Sequence, residues 1–449
     1  MKKNGHHLEH PQEEPLSGGL PRRDFVKYLL AGSAFSVAAL NKLNAGIYQS
    51  ITSLNQKYIE DISPDGAYWD EVRELFLFEG KLIMMNNGTV GPMPKPVFNT
   101  LMKYFKVQVQ NPYDVYNFLP GGKEGVRDKL AQFIHAASDE VSLTSNTTEG
   151  LNFVINGLDL KEGDEVLISN LEHPSALGPW KLKSKRCGVI VKEVKLSLPH
   201  KGVEEIVGAF AAAITPKTKI ISVGHTVFIT GLMTPIKELS KMAHEKGVLV
   251  LADSAHGLGM LSLNMKEMGM DFFASSPYKW LGAPTGIGLL FVRKEAQDKL
   301  WPTVVASGWD TTTVGARKYD PAGQRADAMV YALGEAIDFI NHIGKDRVER
   351  RIKALAAYLK QGLSKIPGVK INTPMDPYLS AGLTAFSVDG IECSKIVDYV
   401  REKYNLVVRT IGSRDAGTLA VRVSTPLYIS TKEIDMLVEG VNALVKHKV

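Results

Sequence analysis

Through the middle of the chain, short apolar runs bounded by polar residues alternate with segments whose apolar positions recur every three or four residues. The first pattern predicts buried strands and the second predicts helices packed on one face. Residues 140–145 read as a strand, and Leu151, Val154, Ile155 and Leu158 fall at helical spacing behind it. Residues 164–170, 188–194 and 219–225 read as further strands. The run Val248 to Leu251, closed by Asp253, and the run 271–276 read as buried strands of a parallel sheet, followed by 286–294. Between them, Thr234 as N-cap, Pro235 at the first helical position and Gly247 at the end frame a helix. From about residue 330 the helices lengthen and strands thin out, down to 419–425 and a terminal helix that opens on a Ser430/Glu433 capping box. Strand–helix alternation of this kind predicts an α/β fold with a mostly parallel sheet. The expected organisation is a large domain over 95–320 and a smaller α/β domain built from 46–94 and 321–449.

The first 45 residues follow a different pattern. A polar stretch precedes Pro21-Arg22-Arg23-Asp24-Phe25-Val26-Lys27, and a mild apolar run from Tyr28 to Leu40 follows. Paired arginines, a nearby Phe and Lys, and a short, weakly hydrophobic core resemble a twin-arginine export signal, which implies passage of the folded protein to the periplasm. An amphipathic first helix with chance arginines is the alternative. Leu43-Asn44-Ala45 is an imperfect cleavage site, so a retained anchor stays open.

Composition excludes several classes. The 449 residues are 44% hydrophobic and 22% charged, ordinary for a globular protein large enough for two domains. A net charge of +5 from 53 basic and 48 acidic residues gives no footprint for nucleic acid. Cys187 and Cys393 are the only cysteines and have no metal-ligand spacing, so neither a disulfide scaffold nor a structural metal is expected. No stretch approaches the roughly 20 apolar residues of a membrane span.

The chemistry concentrates around two of the strands. Asp253 closes one, and Lys279 follows the next in Ser275-Ser276-Pro277-Tyr278-Lys279-Trp280. Side chains at the carboxyl ends of neighbouring parallel strands meet in one crevice. A lysine there can condense with an aldehyde, and a carboxylate can hold a pyridinium proton. Together they match what pyridoxal phosphate (PLP) needs of a protein; a surface lysine and a capping aspartate are the plain alternative. Thr147 and Thr148 stand where a strand gives way to a helix, a place for a phosphate or for simple N-capping. His173, just past a strand end, can stack on a cofactor ring or merely lie exposed. His256 falls within reach of the Asp253 crevice, and Ser276 can add a phosphate hydroxyl. Arg422, among small residues on one strand face of 419–425, has room for a bidentate carboxylate contact, or is an edge arginine in solvent. The glycines of Gly257-Leu258-Gly259 lack the third member of a dinucleotide fingerprint, and no triphosphate-binding loop is present.

These residues, in this order, resemble the class V aminotransferase family of PLP enzymes, whose members include cysteine desulfurases and isopenicillin N epimerases. The resemblance runs from 86–94 to the terminal helix, and its wording is closest to isopenicillin N epimerase-like members. It implies a fold-type-I transferase with a mostly parallel seven-stranded sheet in the large domain, acting as a homodimer. By it, Lys279 is the Schiff-base lysine, Asp253 the partner of the ring nitrogen and His173 the stacking histidine. Thr147, Thr148 and Ser276 belong to the phosphate, His256 approaches the ring hydroxyl, and Arg422 and Asn87 bind substrate. Gln324, in Ala322-Gly323-Gln324, falls where relatives bring a Gly-Thr across the dimer interface, and Tyr278 stands where desulfurases have histidine. Desulfurases also carry a cysteine on the loop equivalent to 408–415, and none is present here.

The resemblance implies chemistry at the α-carbon of an amino acid or amino-acid-bearing peptide, by epimerisation or transamination. A C–S or β-elimination lyase is the alternative. An exported binding protein that has lost its chemistry would predict damaged cofactor positions, and Lys279, Asp253, His173 and Arg422 are all present.

Overall fold

The computed structural model describes residues 37–58, 66–112, 122–198, 202–306, 309–310, 315–320, 323–414 and 417–447. Arg22, Arg23 and Ala322 lie outside them. Strand β1 (Ile83–Met84) belongs to a small pairing taken up below. Strands β2 (Val141–Thr144), β3 (Glu165–Ser169), β4 (Ile190–Val194), β5 (Thr218–Gly224), β6 (Leu249–Asp253), β7 (Phe272–Ser275) and β8 (Gly288–Val292) form one seven-stranded sheet. Their order is β2-β8-β7-β6-β5-β3-β4. Four pairings, β4–β3, β3–β5, β5–β6 and β6–β7, are parallel, and only β8 runs against its neighbours.

The continuous apolar runs have a simple cause: both faces of this sheet are covered. Successive side chains point to opposite faces. Accordingly Ile220, Phe272 and Leu290 join Val154 and Trp180 in one apolar cluster. Ile221, Phe273 and Leu289 enter the other, larger one.

A second sheet contains β9 (Val369–Ile371) and β10 (Leu383–Val388). After β11 (Leu406–Val407), it is completed by β12 (Arg409–Ile411) and β13 (Ala420–Ser424). Its order is β12-β13-β10-β9, antiparallel throughout. β11 instead pairs in parallel with β1, which ties residues 83–84 to the C-terminal part of the chain.

Three local expectations shift. The helix expected to start on Thr234 begins at Ile236, with Pro235 as N-cap, because the Thr234 hydroxyl donates to the Gly224 carbonyl at 2.6 Å. The threonines at 147 and 148 do not cap their helix. Asn146 does, accepting from the Glu149 amide at 2.9 Å. Finally, a continuous helix Val37–Lys57 crosses the boundary expected at residue 45. It is docked on the body: Ile51 and Leu54 are buried. Asn44 Nδ2 donates to the Pro96 carbonyl and to Thr100 Oγ1, each at 3.1 Å. The Ser430/Glu433 capping box forms as read, with the Ser430 amide donating to Glu433 Oε2 at 2.9 Å.

Candidate active site

The carboxyl ends of β3, β5, β6 and β7 open into one crevice, closed on its far side by β12, β13 and the segment before residue 90. It encloses about 420 Å³ and is lined by Thr147, Thr148, His173, Asp253, His256, Ser276, Lys279 and Arg422, among others. Eight residues scattered over 275 positions therefore share one cavity.

Asp253 ends β6 and is buried. Its Oδ1 accepts from the Ala255 amide at 3.1 Å. Burial raises its pKa, while that amide and the charge of Lys279 pull it back. With one backbone donor, the carboxylate keeps capacity for a cationic N–H facing it from the crevice.

Lys279 lies in the turn after β7. Its pKa falls to about 8, first through burial and then through the charge of Arg422, against the opposing pull of Asp253. At neutral pH roughly a tenth of such amines are uncharged, against a few per ten thousand for an ordinary lysine. The backbone around it is clamped from the other side: the Asn87 amide donates to the Lys279 carbonyl at 2.9 Å, and the Gly91 N–H to the Tyr278 carbonyl at 3.0 Å. A Cβ on Gly91 would lie 2.2 Å from the Lys279 carbonyl oxygen, so only glycine permits that approach. Asn87 itself stands behind the crevice. Its Oδ1 accepts from the Tyr428 hydroxyl at 2.5 Å, so both ends of the amide are engaged with protein.

His173 is the N-cap of the helix Pro174–Cys187. Its Nδ1 accepts from the Ser175 amide at 3.1 Å, and its ring meets Phe228 edge-on at 4.6 Å. Desolvation, then the charges of Lys279, Arg422 and Arg409, hold its pKa at about 4, so the ring is neutral and its orientation fixed. His256 is buried beside Trp280, whose indole N–H donates to His256 Nδ1 at 3.4 Å; burial keeps it neutral as well. At the opposite end, the Thr147 amide donates to Ser276 Oγ at 3.0 Å, and the two hydroxyls lie 2.7 Å apart. Thr148 is exposed at the same helix start.

Arg422 on β13 is buried, yet no carboxylate contacts it among the described residues. Its guanidinium donates to the Phe228 carbonyl at 3.2 Å, and to Asn86 Oδ1 and Thr89 Oγ1 at 3.3 Å each. Its Nε has no partner. A buried cation with only neutral acceptors is arranged for an anion that arrives with the ligand.

Gln324 lies outside this cavity and is exposed. The neighbouring Arg325 pairs with Glu149 at 3.1 Å. Sequence reasoning missed Glu172, Arg409, Thr89 and Gly88, all of which line the crevice. Glu172 is fully buried. Burial, and then the nearby charge of Asp253, raise its pKa to about 8 against the Ser169 hydroxyl, which donates to Oε1 at 2.5 Å. Its position directly before His173, just past a strand end, was the available signal.

Neither cysteine reaches the crevice. Cys393 is buried at the start of the helix Cys393–Tyr404. Cys187 ends the 14-residue helix whose first turn touches the crevice, about 20 Å away at 1.5 Å per residue.

A lysine, a buried aspartate, a neutral histidine and a hydroxyl-lined helix start, set at the carboxyl edge of this sheet, define a fold-type-I PLP enzyme. The profile described as Aminotransferase class-V matches residues 84–437, and the chain belongs to that family. It is 27% identical to the isopenicillin N epimerase of Streptomyces clavuligerus, over 84% of this chain and 98% of that one. It is 30% identical to a probable cysteine desulfurase of Halalkalibacterium halodurans, over 80% of this chain and 92% of that one. Among solved structures it resembles a C-DES mutant with glycine covalently linked to its PLP cofactor. That match has a TM-score of 0.72 and 22% identity, and covers 82% of this chain and 98% of that one.

The cofactor is PLP, and the residues present fit it. Lys279 offers an amine of lowered pKa, Asp253 has spare acceptor capacity, and the Thr147–Ser276 hydroxyl pair lies at a helix N-terminus.

Proposed function

We propose that this protein acts at the α-carbon of an amino acid or amino-acid-bearing peptide, by epimerisation or transamination, as its epimerase relatives' name suggests. The single observation that carries the reading is the buried, carboxylate-free Arg422 in the same cavity as Lys279. When bound, PLP supplies an aldehyde for the substrate amine and a ring that accepts the electrons left at Cα. Arg422 grips the α-carboxylate and so orients the Cα–H bond. Asp253 keeps the ring nitrogen protonated. His173, neutral, would cover the ring face and exclude water from it. Lys279 would hold the cofactor aldehyde and, as a neutral amine, would serve as the base for the Cα proton. Protonation of Cα from the opposite face would invert the centre; release of a keto acid, with the amino group left on the cofactor, would be transamination.

No cysteine reaches the crevice among the described residues, which favours these outcomes over persulfide chemistry. Turnover of a panel of amino acids and small peptides in deuterated water is the test. Exchange at Cα with inversion marks an epimerase and keto-acid formation a transaminase. Pyruvate with ammonia, or sulfide released through a protein persulfide, would overturn the reading.

The same proposal includes a homodimer and export of the folded, cofactor-loaded protein to the periplasm. Gln324, exposed and outside the cavity of its own chain, supports a reach toward a second copy, and Pro21-Arg22-Arg23-Asp24-Phe25 supports the twin-arginine route. Light scattering tests the first. Arg22→Lys with Arg23→Lys, which should strand the protein in the cytoplasm, tests the second.

A further inference from the structure

Arg422 is not the only guanidinium in the crevice. Strands β12 and β13 pair antiparallel with Arg409 directly opposite Arg422. Side chains of directly opposed residues lie on the same face of a sheet. Here that face is the crevice wall, which both arginines line. One hydroxyl joins them: Thr89 Oγ1 accepts from Arg409 Nη1 at 3.2 Å and from Arg422 Nη2 at 3.3 Å. Neither makes a salt bridge with any described residue. Two like charges are thus held around one neutral oxygen, and the inner one is buried with its Nε unpartnered. Arg409 helps push the pKa of Arg422 down to about 10, after burial itself. A single carboxylate occupies one planar guanidinium by a paired contact and leaves the outer, solvent-facing Arg409 available to a second anionic group.

We infer that Arg409 is a specificity-determining residue that binds a second anionic group of the substrate, and that the preferred substrate is an α-amino acid with a short side chain ending in a carboxylate. The inference rests on reading the crevice as an amino-acid site. The length follows from the geometry. Because both guanidinium groups meet at Thr89, the two carboxylates must lie side by side, as in aspartate or glutamate. The outer position of Arg409, exposed beyond the buried Arg422, fits the order of the groups: α-carboxylate inside, side-chain carboxylate nearer the mouth. Among the described residues only two carboxyls line the cavity with the pair, and neither contacts it. Of the two carboxyls lining that side, Asp253 belongs to the ring nitrogen and Glu172 is held protonated.

Unreactive acids separate this inference from the chemistry. Glutarate and butyrate have a similar carbon chain and differ in the second carboxylate. Their affinities for the PLP-loaded protein are measured by calorimetry in the wild type and in Arg409→Gln, with Arg409→Lys as a charge-preserving control. The wild type should favour glutarate by at least about tenfold, the size of one charge-assisted contact. That preference should collapse in Arg409→Gln and return in part in Arg409→Lys. In turnover, the same collapse should appear as a rise in KM for glutamate or aspartate relative to alanine. Equal affinity of the wild type for both acids, or equal weakening of both in Arg409→Gln, would overturn it. Glutarate selectivity without turnover of any amino acid would support this subsite and sink the proposed reaction; turnover with no diacid preference would do the reverse.

Discussion

The backbone of Gly88 lies flat against the guanidinium of Arg422. A Cβ built on Gly88 would fall 2.5 Å from Arg422 Cζ and 2.6 Å from Nη2. The Gly88 amide also donates to Ser424 Oγ, two residues beyond Arg422, at 3.0 Å. The arginine is thus aimed by the segment opposite it rather than by its own strand alone.

Gly88→Ala should therefore displace Arg422 and spare the cofactor. Spectroscopic PLP binding should stay within about twofold of wild type, while KM for amino acids should rise at least about tenfold. Loss of the cofactor spectrum, or an unchanged KM, would show that this packing does not set the anion site.

Lys279 should make cofactor capture depend on pH. Only the neutral amine condenses with an aldehyde, and the pKa is lowered to about 8. Below that value the capture rate of cofactor-free protein should rise about tenfold per pH unit, then level off above it. Stopped-flow absorbance measures this. Lys279→Ala should leave no borohydride-fixed cofactor. A fixed adduct on another lysine would remove the residue from its role.

Glu172 carries a stability signature of defined sign. Its pKa is raised from 4.5 to about 8 by burial, so the folded chain holds a proton that the unfolded chain releases. The stability this contributes is full below about pH 4.5 and drains away as pH rises toward 8. Glu172→Gln keeps the shape and removes the titration. Its unfolding free energy should fall less than that of wild type between pH 5 and pH 8, by a few kcal/mol at most (about 1.4 kcal/mol per pH unit), as urea titrations at each pH would measure. Parallel curves would mean Glu172 is not buried as described.

Removing residues 1–45 should destabilise the fold. Asn44 would go, leaving the Pro96 carbonyl without its side-chain donor and Thr100 with only its bond to Glu335, at a cost of about 1–3 kcal/mol. A chain starting at Val37 should keep that stability, and urea midpoints compare the two. Equal midpoints would restore residue 45 as a workable boundary.

The sequence was most legible where both faces of an element are buried. Strands β6, β7 and β8 are almost wholly apolar and buried, whereas β4, IVKEV at the sheet edge, is largely exposed; all seven readings of β2 to β8 fell within two residues of the strands. In the second sheet, β10 reads LTAFSV, and its Thr384 and Ser387 break the run without leaving the strand. β1, β9, β11 and β12 have two or three residues each, too few for any period to show. In the crevice, single residues after strand ends were readable, because the end of a parallel strand is itself a place. Arg409 was not, since its meaning lies in the register that sets it opposite Arg422. Asn87 could be found but not its posture, which depends on Tyr428, far along the chain.

The one strand that runs against the rest has a mechanical consequence. Successive parallel strands need a long crossover, but β7 and β8 are antiparallel neighbours. The lysine-bearing stretch between them, 276–287, starts and ends at the same sheet edge and is pinned at Tyr278 and Lys279 by Gly91 and Asn87. It behaves as a stirrup bolted at three points. The Lys279 amine therefore swings only on its own side-chain torsions, and its anchor stays still.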